Sequence, residues 1–206
     1  MKRIEIHPVN PQPRLIRQVA EQFQTGALVA LPTDASYVLA CHLEDRTAVD
    51  RMRQLRGIDE KHLLTLLCRD LSELSQYAQV DNRQFRFLKE WTPGAYTFIL
   101  PATREVPRRL MHPSRKTVGL RVPEAPIVQA LLAELGVPLL CASLILPGDE
   151  NPLSDPDDIE DRIGKRIDLL VDGGAGQLEA TSVIDVTGDE PVIQRVGMGP
   201  VEAMLH

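Results

Sequence analysis

Several stretches of this chain carry side chains whose type and setting could do chemistry. In "TVGLRVPEAP" (117–126), Arg121 stands inside an apolar, alternating strand, where a guanidinium rarely goes unpaired. It either pairs with an acid or awaits an anionic ligand. In "PLLCASLILPG" (138–148), a single hydroxyl, Ser143, interrupts an apolar run that ends in a Pro-Gly turn. In "LPTDASY" (31–37), a buried run stops at Pro32 and delivers Thr33 and Asp34. The mouth of such a strand is where α/β proteins tend to hold ligands, although a strand-to-turn transition also favours Thr and Asp. In "RMRQLRG" (51–57), Arg53 and Arg56 lie three apart on one helix face beside Arg51. That is either an exposed basic face or a phosphate site suited to the guanidinium fork.

Other chemistries find little support. Cys41, Cys68 and Cys141 show no CxxC spacing and lie beside apolar runs, which reads as buried free thiols in a reducing compartment. No basic neighbour would depress the pKa of any of them toward a nucleophilic thiolate. His7, His42, His62, His112 and His206 have no paired ligand spacing, so no zinc site is expected. The acid-rich segment 149–161 lacks the ligand order of a calcium loop and reads as a solvated helix start. "DGGAGQLEATS" (172–182) is Gly-rich but has no Gly-Lys-Ser/Thr, so it reads as a turn and not as a P-loop. A formal charge of −6 disfavours a globally basic nucleic-acid binder and leaves room for a local basic face. "MKRIEIHPVN" has no apolar core, so it does not read as a signal peptide, and no apolar run reaches membrane length. A soluble, cytoplasmic protein without a membrane partner is expected.

The elements that must position these residues follow from periodicity. With 43% hydrophobic and 25% interspersed charged residues over 206 positions, the chain reads as one domain, 1–206, without repeats or linkers. Strands are expected at "RIEI" (3–6), "ALVAL" (27–31), "YVLAC" (37–41), "LLTLLC" (63–68), "YTFIL" (96–100), 117–122 and "PLLCASL" (138–144). Three more follow near the end, at "DLLVDGG", "TSVIDVT" and "PVIQRV". Helices are expected at 14–25, 45–57, 70–78, 81–91, 126–136 and 154–164, the last with Ser154 as its N-cap. The stretch 102–116 is the least regular, holds Arg104, Arg108, Arg109, Arg115 and Lys116, and reads as a mobile loop. Several neighbouring strands have no helix between them. The fold class is therefore α/β (α+β), a single-domain twisted mixed sheet flanked by helices.

Taken in order, "PTDASYVL" (32–39), "LRGIDEKHLLTLL" (55–67), "WTPGAYTFIL" (91–100), "TVGLRVPEAP" (117–126), "CASLILPG" (141–148), "ATSVID" (180–185) and "QRVG" (194–197) resemble the YrdC-like domain family. The likeness spans about residues 12–197, and its details look most like the YciO branch. The resemblance implies a twisted sheet with a concave basic groove. Synthases of the family join L-threonine, bicarbonate and ATP, with Mg2+, into threonylcarbamoyl-AMP and pyrophosphate for tRNA modification. Members of the family also bind double-stranded RNA. By motif, Thr33, Arg121 and Thr181, with Ser182 beside it, would face the amino acid. Thr117, Ser143 and Arg195 would lie near the nucleotide, and Arg56 takes the place of a lysine that meets phosphates. Arg56, Ser143 and Arg121 would form the catalytic set, with ATP as substrate and no tightly bound cofactor.

The chain departs from that pattern. The synthases carry Lys-x-Arg in the second motif, and here the arginine becomes Ile58. They carry Ser-x-Asn in the fifth, and here the asparagine becomes Ile145. Ala35 stands where threonine is common and Val38 where glycine is common. Losing one charge-assisted and one neutral hydrogen bond removes about 1.5–3 and about 1 kcal/mol, on the order of 10²- to 10³-fold if both act in the transition state. Three functions follow: a slowed synthase, a module for structured RNA using Arg51, Arg53, Arg56 and the basic stretch 104–116, and a sensor that binds a nucleotide without turning it over.

Overall fold

Residues 1–205 are described by a computed structural model. Among them, ten strands join into a single sheet. They are β1 (Lys2–Glu5), β2 (Val29–Leu31), β3 (Val38–His42), β4 (Thr65–Leu67), β5 (Tyr96–Pro101), β6 (Thr117–Arg121), β7 (Leu139–Ser143), β8 (Leu169–Asp172), β9 (Ser182–Asp185) and β10 (Val192–Arg195). Their spatial order is β1-β8-β2-β3-β7-β4-β6-β5-β9-β10. Pairing is parallel at β1–β8, β2–β8, β4–β6 and β5–β9 and antiparallel elsewhere, the mixed sheet that the strand spacing requires. Six helices flank it: α1 (Pro13–Gln24), α2 (Arg46–Arg56), α3 (Leu71–Tyr77), α4 (Asn82–Trp91), α5 (Pro126–Leu135) and α6 (Pro156–Ile163).

Side-chain parity divides the sheet into two faces. One face carries Leu39, Cys41, Leu140, Leu66, Leu120, Phe98 and Ile184, and α2, α3, α4 and α6 cover it with Met52, Leu55, Leu74, Leu88, Ile159 and Ile163. The other face is covered on one side only. There Ile4, Val171, Val29, Ala40 and Cys141 pack against Ile16, Val19 and Phe23 of α1 and Val128, Leu131 and Leu132 of α5. Beyond β7 the residues on that face change to Thr65, Gly119, Thr97, Ile99 and Val183. Burial of one large aliphatic side chain is worth about 1.5–3 kcal/mol. Threonines and a glycine give a helix little of that, and among the described residues no helix packs there.

Two local expectations are corrected. α6 is capped by Asp155, whose side chain accepts from the Asp157 amide at 2.9 Å, and not by Ser154. Pro156 holds the first helical position, which places the cap one residue before it. The stretch 102–116, expected to be mobile, is tied to the body. Ala102 bridges Ala78, Thr103 N–H donates to Tyr77 O at 3.0 Å, Arg109 donates to Leu43 O at 3.0 Å, and Val106 and Leu110 are buried.

Candidate functional site

The uncovered half of the sheet is the floor of a cavity of about 320 Å³. Thr65, Gly119, Thr97, Ile99 and Val183 come from adjacent strands, and Thr181 directly precedes β9. A Cβ on Gly119 would stand 2.8 Å from Thr65 Oγ1 and 3.2 Å from Thr97 Cγ2, so the floor is as deep as it is because that residue has no side chain. Thr97 and Thr181 hydroxyls share a 2.7 Å hydrogen bond.

The rim is basic. α2 begins at Asp45, whose carboxylate accepts from the Ala48 amide at 2.9 Å, and ends at Gly57, whose φ of 63° reverses the chain. Between those caps, Ala48, Val49, Met52 and Leu55 are buried and Arg56 falls in the last turn, the end of a helix that favours cations. Arg56 reaches across to the carbonyl of Ser143, at the end of β7. The turn after Gly57 brings Lys61 and His62 to the rim. Arg195 arrives from β10. A bulge there sets Ile193 opposite Ile184 but Arg195 opposite Val183, so one extra residue turns Arg195 onto the cavity face. Its Nε and a terminal nitrogen donate to Thr181 O at 3.0 and 2.8 Å.

Arg56, Lys61, His62 and Arg195 thus line one cavity, and none of its lining residues is an Asp or Glu. Burial lowers the pKa of Arg56 from its usual value, and the Arg195 charge adds to the effect; burial alone lowers that of Arg195. Arg56 Nε is buried without a partner among the described residues. Concentrated positive charge with unsatisfied donors is a setting for a multiply charged anion.

Of the residues expected to form the site, Arg56, Ser143, Thr181 and Arg195 come together in this cavity. Thr33 and Arg121 do not line it. Arg121 is only 3% exposed and donates from one terminal nitrogen to Asp34 at 2.5 Å and to Thr33 Oγ1 at 2.8 Å. Of the two readings open for this arginine, the structure shows the ion pair with an acid. Asp34 in turn accepts from the Glu124 amide at 3.0 Å. The expectation that Ser182 contacts substrate is corrected. Its side chain is fully buried, donates to Gly199 O at 2.5 Å and accepts from the Gly197 amide at 2.8 Å, so it holds backbone. Thr117 is buried at the start of β6, and its hydroxyl has no partner among the described residues.

The two substitutions at polar positions fall differently. Ile145 lines the cavity, while Ile58 packs against the larger core. The basic set assigned to RNA is partly engaged within the protein. Arg51 bridges Asp168 at 2.7 Å, Arg53 donates to Asp59 O at 2.6 Å, and Lys116 donates to Pro113 O at 2.6 Å. Sequence reasoning missed Thr65, Thr97, Gly119, Lys61 and His62 as lining residues. A signal existed for two of them: Thr97 is the polar residue of an otherwise apolar strand, and Gly119 shares its alternating row with Thr117 and Arg121.

Residues 21–197 match the Sua5/YciO/YrdC family, described as telomere recombination. The chain is 52% identical over 200 residues to the uncharacterized protein YciO of Escherichia coli (strain K12), covering 97% of each. The crystal structure of E. coli YciO superposes with a TM-score of 0.96 at 50% identity, over 99% of this chain and 100% of that one. The threonylcarbamoyl-AMP synthase of Halorhodospira halophila (strain DSM 244 / SL1) is 30% identical over 178 residues, covering 86% of this chain and 92% of that protein. The crystal structure of P. abyssi Sua5 complexed with L-threonine gives a TM-score of 0.89 at 26% identity, over 98% of this chain and 59% of that one.

Proposed function

The chain belongs to the Sua5/YciO/YrdC family, and from that premise we propose that it forms threonylcarbamoyl-AMP, or a closely related acyl adenylate, from ATP, bicarbonate and L-threonine. The observation that carries the reading is the carboxylate-free cavity lined by Arg56, Lys61, His62 and Arg195. In a chain of net charge −6, such a cavity suits the polyphosphate of a nucleotide. Relatives named as threonylcarbamoyl-AMP synthases and a Sua5 structure holding L-threonine supply the acyl half.

The chemistry balances simply. The threonine amine and bicarbonate give a carbamate, with loss of water. A carbamate oxygen bonds to the α-phosphorus, the bond from that phosphorus to the bridging oxygen breaks, and pyrophosphate leaves with that electron pair. Such a transfer is served by positioning and by cations that neutralise charge as it develops. Arg56, Lys61 and Arg195 provide the cations, and the Ser143, Thr97 and Thr181 hydroxyls face the same space. Among the described residues, no group of three or more His, Cys, Asp or Glu side chains is placed to hold a metal ion. Mg2+ would therefore arrive on the nucleotide's phosphates, whose oxygens are its ordinary ligands. The Asp34–Arg121–Thr33 cluster joins the mouth of β2 to the end of β6, and an amino acid's carboxylate would meet Arg121 by taking the place of Asp34.

The test is product formation by the purified protein supplied with ATP, Mg2+, bicarbonate and radiolabelled L-threonine. Threonylcarbamoyl-AMP and pyrophosphate should appear in equal amounts, and Arg56→Ala should slow both by about 10²-fold or more. No product, with ATP still raising the melting temperature, would replace the synthase with a nucleotide-binding sensor.

A further inference from the structure

Of the basic residues around the cavity, His62 alone can gain or lose its charge near neutral pH. It stands at the rim, open to solvent, on the turn between α2 and β4. The groups around it are mostly cationic: Arg53 and Arg56 from the last turn of α2, Arg195 from β10, and Lys61 beside it in the chain. Asp59, in the same turn, is the carboxylate that acts on it, and Glu60 acts on Arg53. The His62 amide donates to Asp59 O at 3.2 Å, while its ring makes no hydrogen bond to a described residue. Desolvation against the cavity wall, and then the Arg56, Arg195 and Arg53 charges, hold the imidazole below its ordinary pKa, against a smaller opposing pull from Asp59.

We propose that His62 is a proton-linked ligand of this cavity: a phosphate-type dianion enters together with one proton, which the imidazole takes from solvent. In the free protein the neighbouring arginines repel a proton on His62. An anion seated among Arg56, Lys61 and Arg195 offsets most of that repulsion and adds an acceptor for the ring N–H. The imidazole is then neutral when the cavity is empty and cationic when it is full. Affinity for a dianion should rise as pH falls through the neutral range, by up to about tenfold per pH unit for one linked proton. The residue would set which charge state of a ligand the cavity accepts, with dianionic phosphoryl groups favoured over monoanionic carboxylates. This rests on the cavity being an anion site and not on the synthase reaction itself.

Sulfate serves as the probe, because its charge stays fixed across the neutral range. The His62 ring signal, assigned by its loss in His62→Gln, is followed by NMR against pH with and without saturating sulfate. Its titration midpoint should move upward with sulfate, and sulfate affinity should lose most of its pH dependence in His62→Gln. An unmoved midpoint, an equal pH dependence in His62→Gln, or no sulfate binding at all would overturn the proposal. Proton-linked sulfate binding without adenylate formation would leave this inference standing and remove the synthase. Adenylate formation with an unmoved His62 midpoint would do the reverse.

Discussion

Arg121 shows how a residue can be legible in type and not in partner. Its place in an alternating apolar strand demands a compensating group, and parity puts it on the same sheet face as Gly119. Its partner Asp34 is 87 residues away, beyond what spacing can reveal. Both side chains are nearly enclosed, at 4% and 12% exposed, so removing one leaves a buried charge. Asp34→Ala should cost about 3–5 kcal/mol of stability, measured by urea unfolding; a loss within experimental error would mean that Arg121 is not held as described. His62 gives a pH prediction with a definite sign. Its pKa is lowered in the folded protein, so the unfolded chain binds the proton more readily. Stability contributed by neutral His62 is therefore lost as pH falls from the ordinary imidazole range through the folded value. His62→Gln should flatten that part of the urea-midpoint profile. Ile145 lines the cavity where a polar partner of Ser143 is expected. Ile145→Asn should restore about 1 kcal/mol in the transition state, roughly a fivefold faster turnover, and an unchanged rate would remove Ile145 from the account.

At the scale of elements, most boundaries were readable because caps and periods agree. "DRTAVDRMRQLRG" opens with a capping acid and closes on a glycine, and α2 runs between them. Asp45→Ala should cost about 0.5–2 kcal/mol through the lost cap, by thermal or urea unfolding. The cap of α6 was also legible once Pro156 is taken as its first helical residue. The β10 bulge was not, because a one-residue register shift leaves no mark in composition or periodicity. It nonetheless decides that Arg195 meets Thr181 and the cavity. Deleting Gln194 should straighten β10 while keeping Arg195 opposite Val183 on the cavity face, so sulfate binding, as read by calorimetry, should persist. Lost binding would show that the bulge does more for the arginine than set the face it occupies. The 102–116 stretch misled because its ties, to Tyr77, Ala78 and Leu43, are all distant in sequence.

For the molecule as a whole, one sheet face is fully covered by helices and the other only in part, and the uncovered part is where charge and hydroxyls collect. The mixed sheet could be foreseen from strands that follow one another without helices. Which strands stay uncovered could not, since that depends on a strand order in which β7 pairs with β3 and β4. Gly119→Val should fill the cavity floor and cost about 1–3 kcal/mol by overpacking, with ATP binding lost even where the protein remains folded. Among the described residues no helix is long and apolar enough to cross a membrane. The most direct test of the central claim, that this uncovered half-sheet holds the nucleotide's polyphosphate, is ATP binding by titration calorimetry in the wild type, Arg56→Ala, Arg195→Ala and the exposed α1 variant Arg17→Ala. Each cavity arginine should contribute a charge-assisted hydrogen bond of about 1.5–3 kcal/mol, so its loss should weaken ATP binding roughly tenfold to a hundredfold while Arg17→Ala leaves it unchanged. Equal affinity in all four proteins would contradict the account.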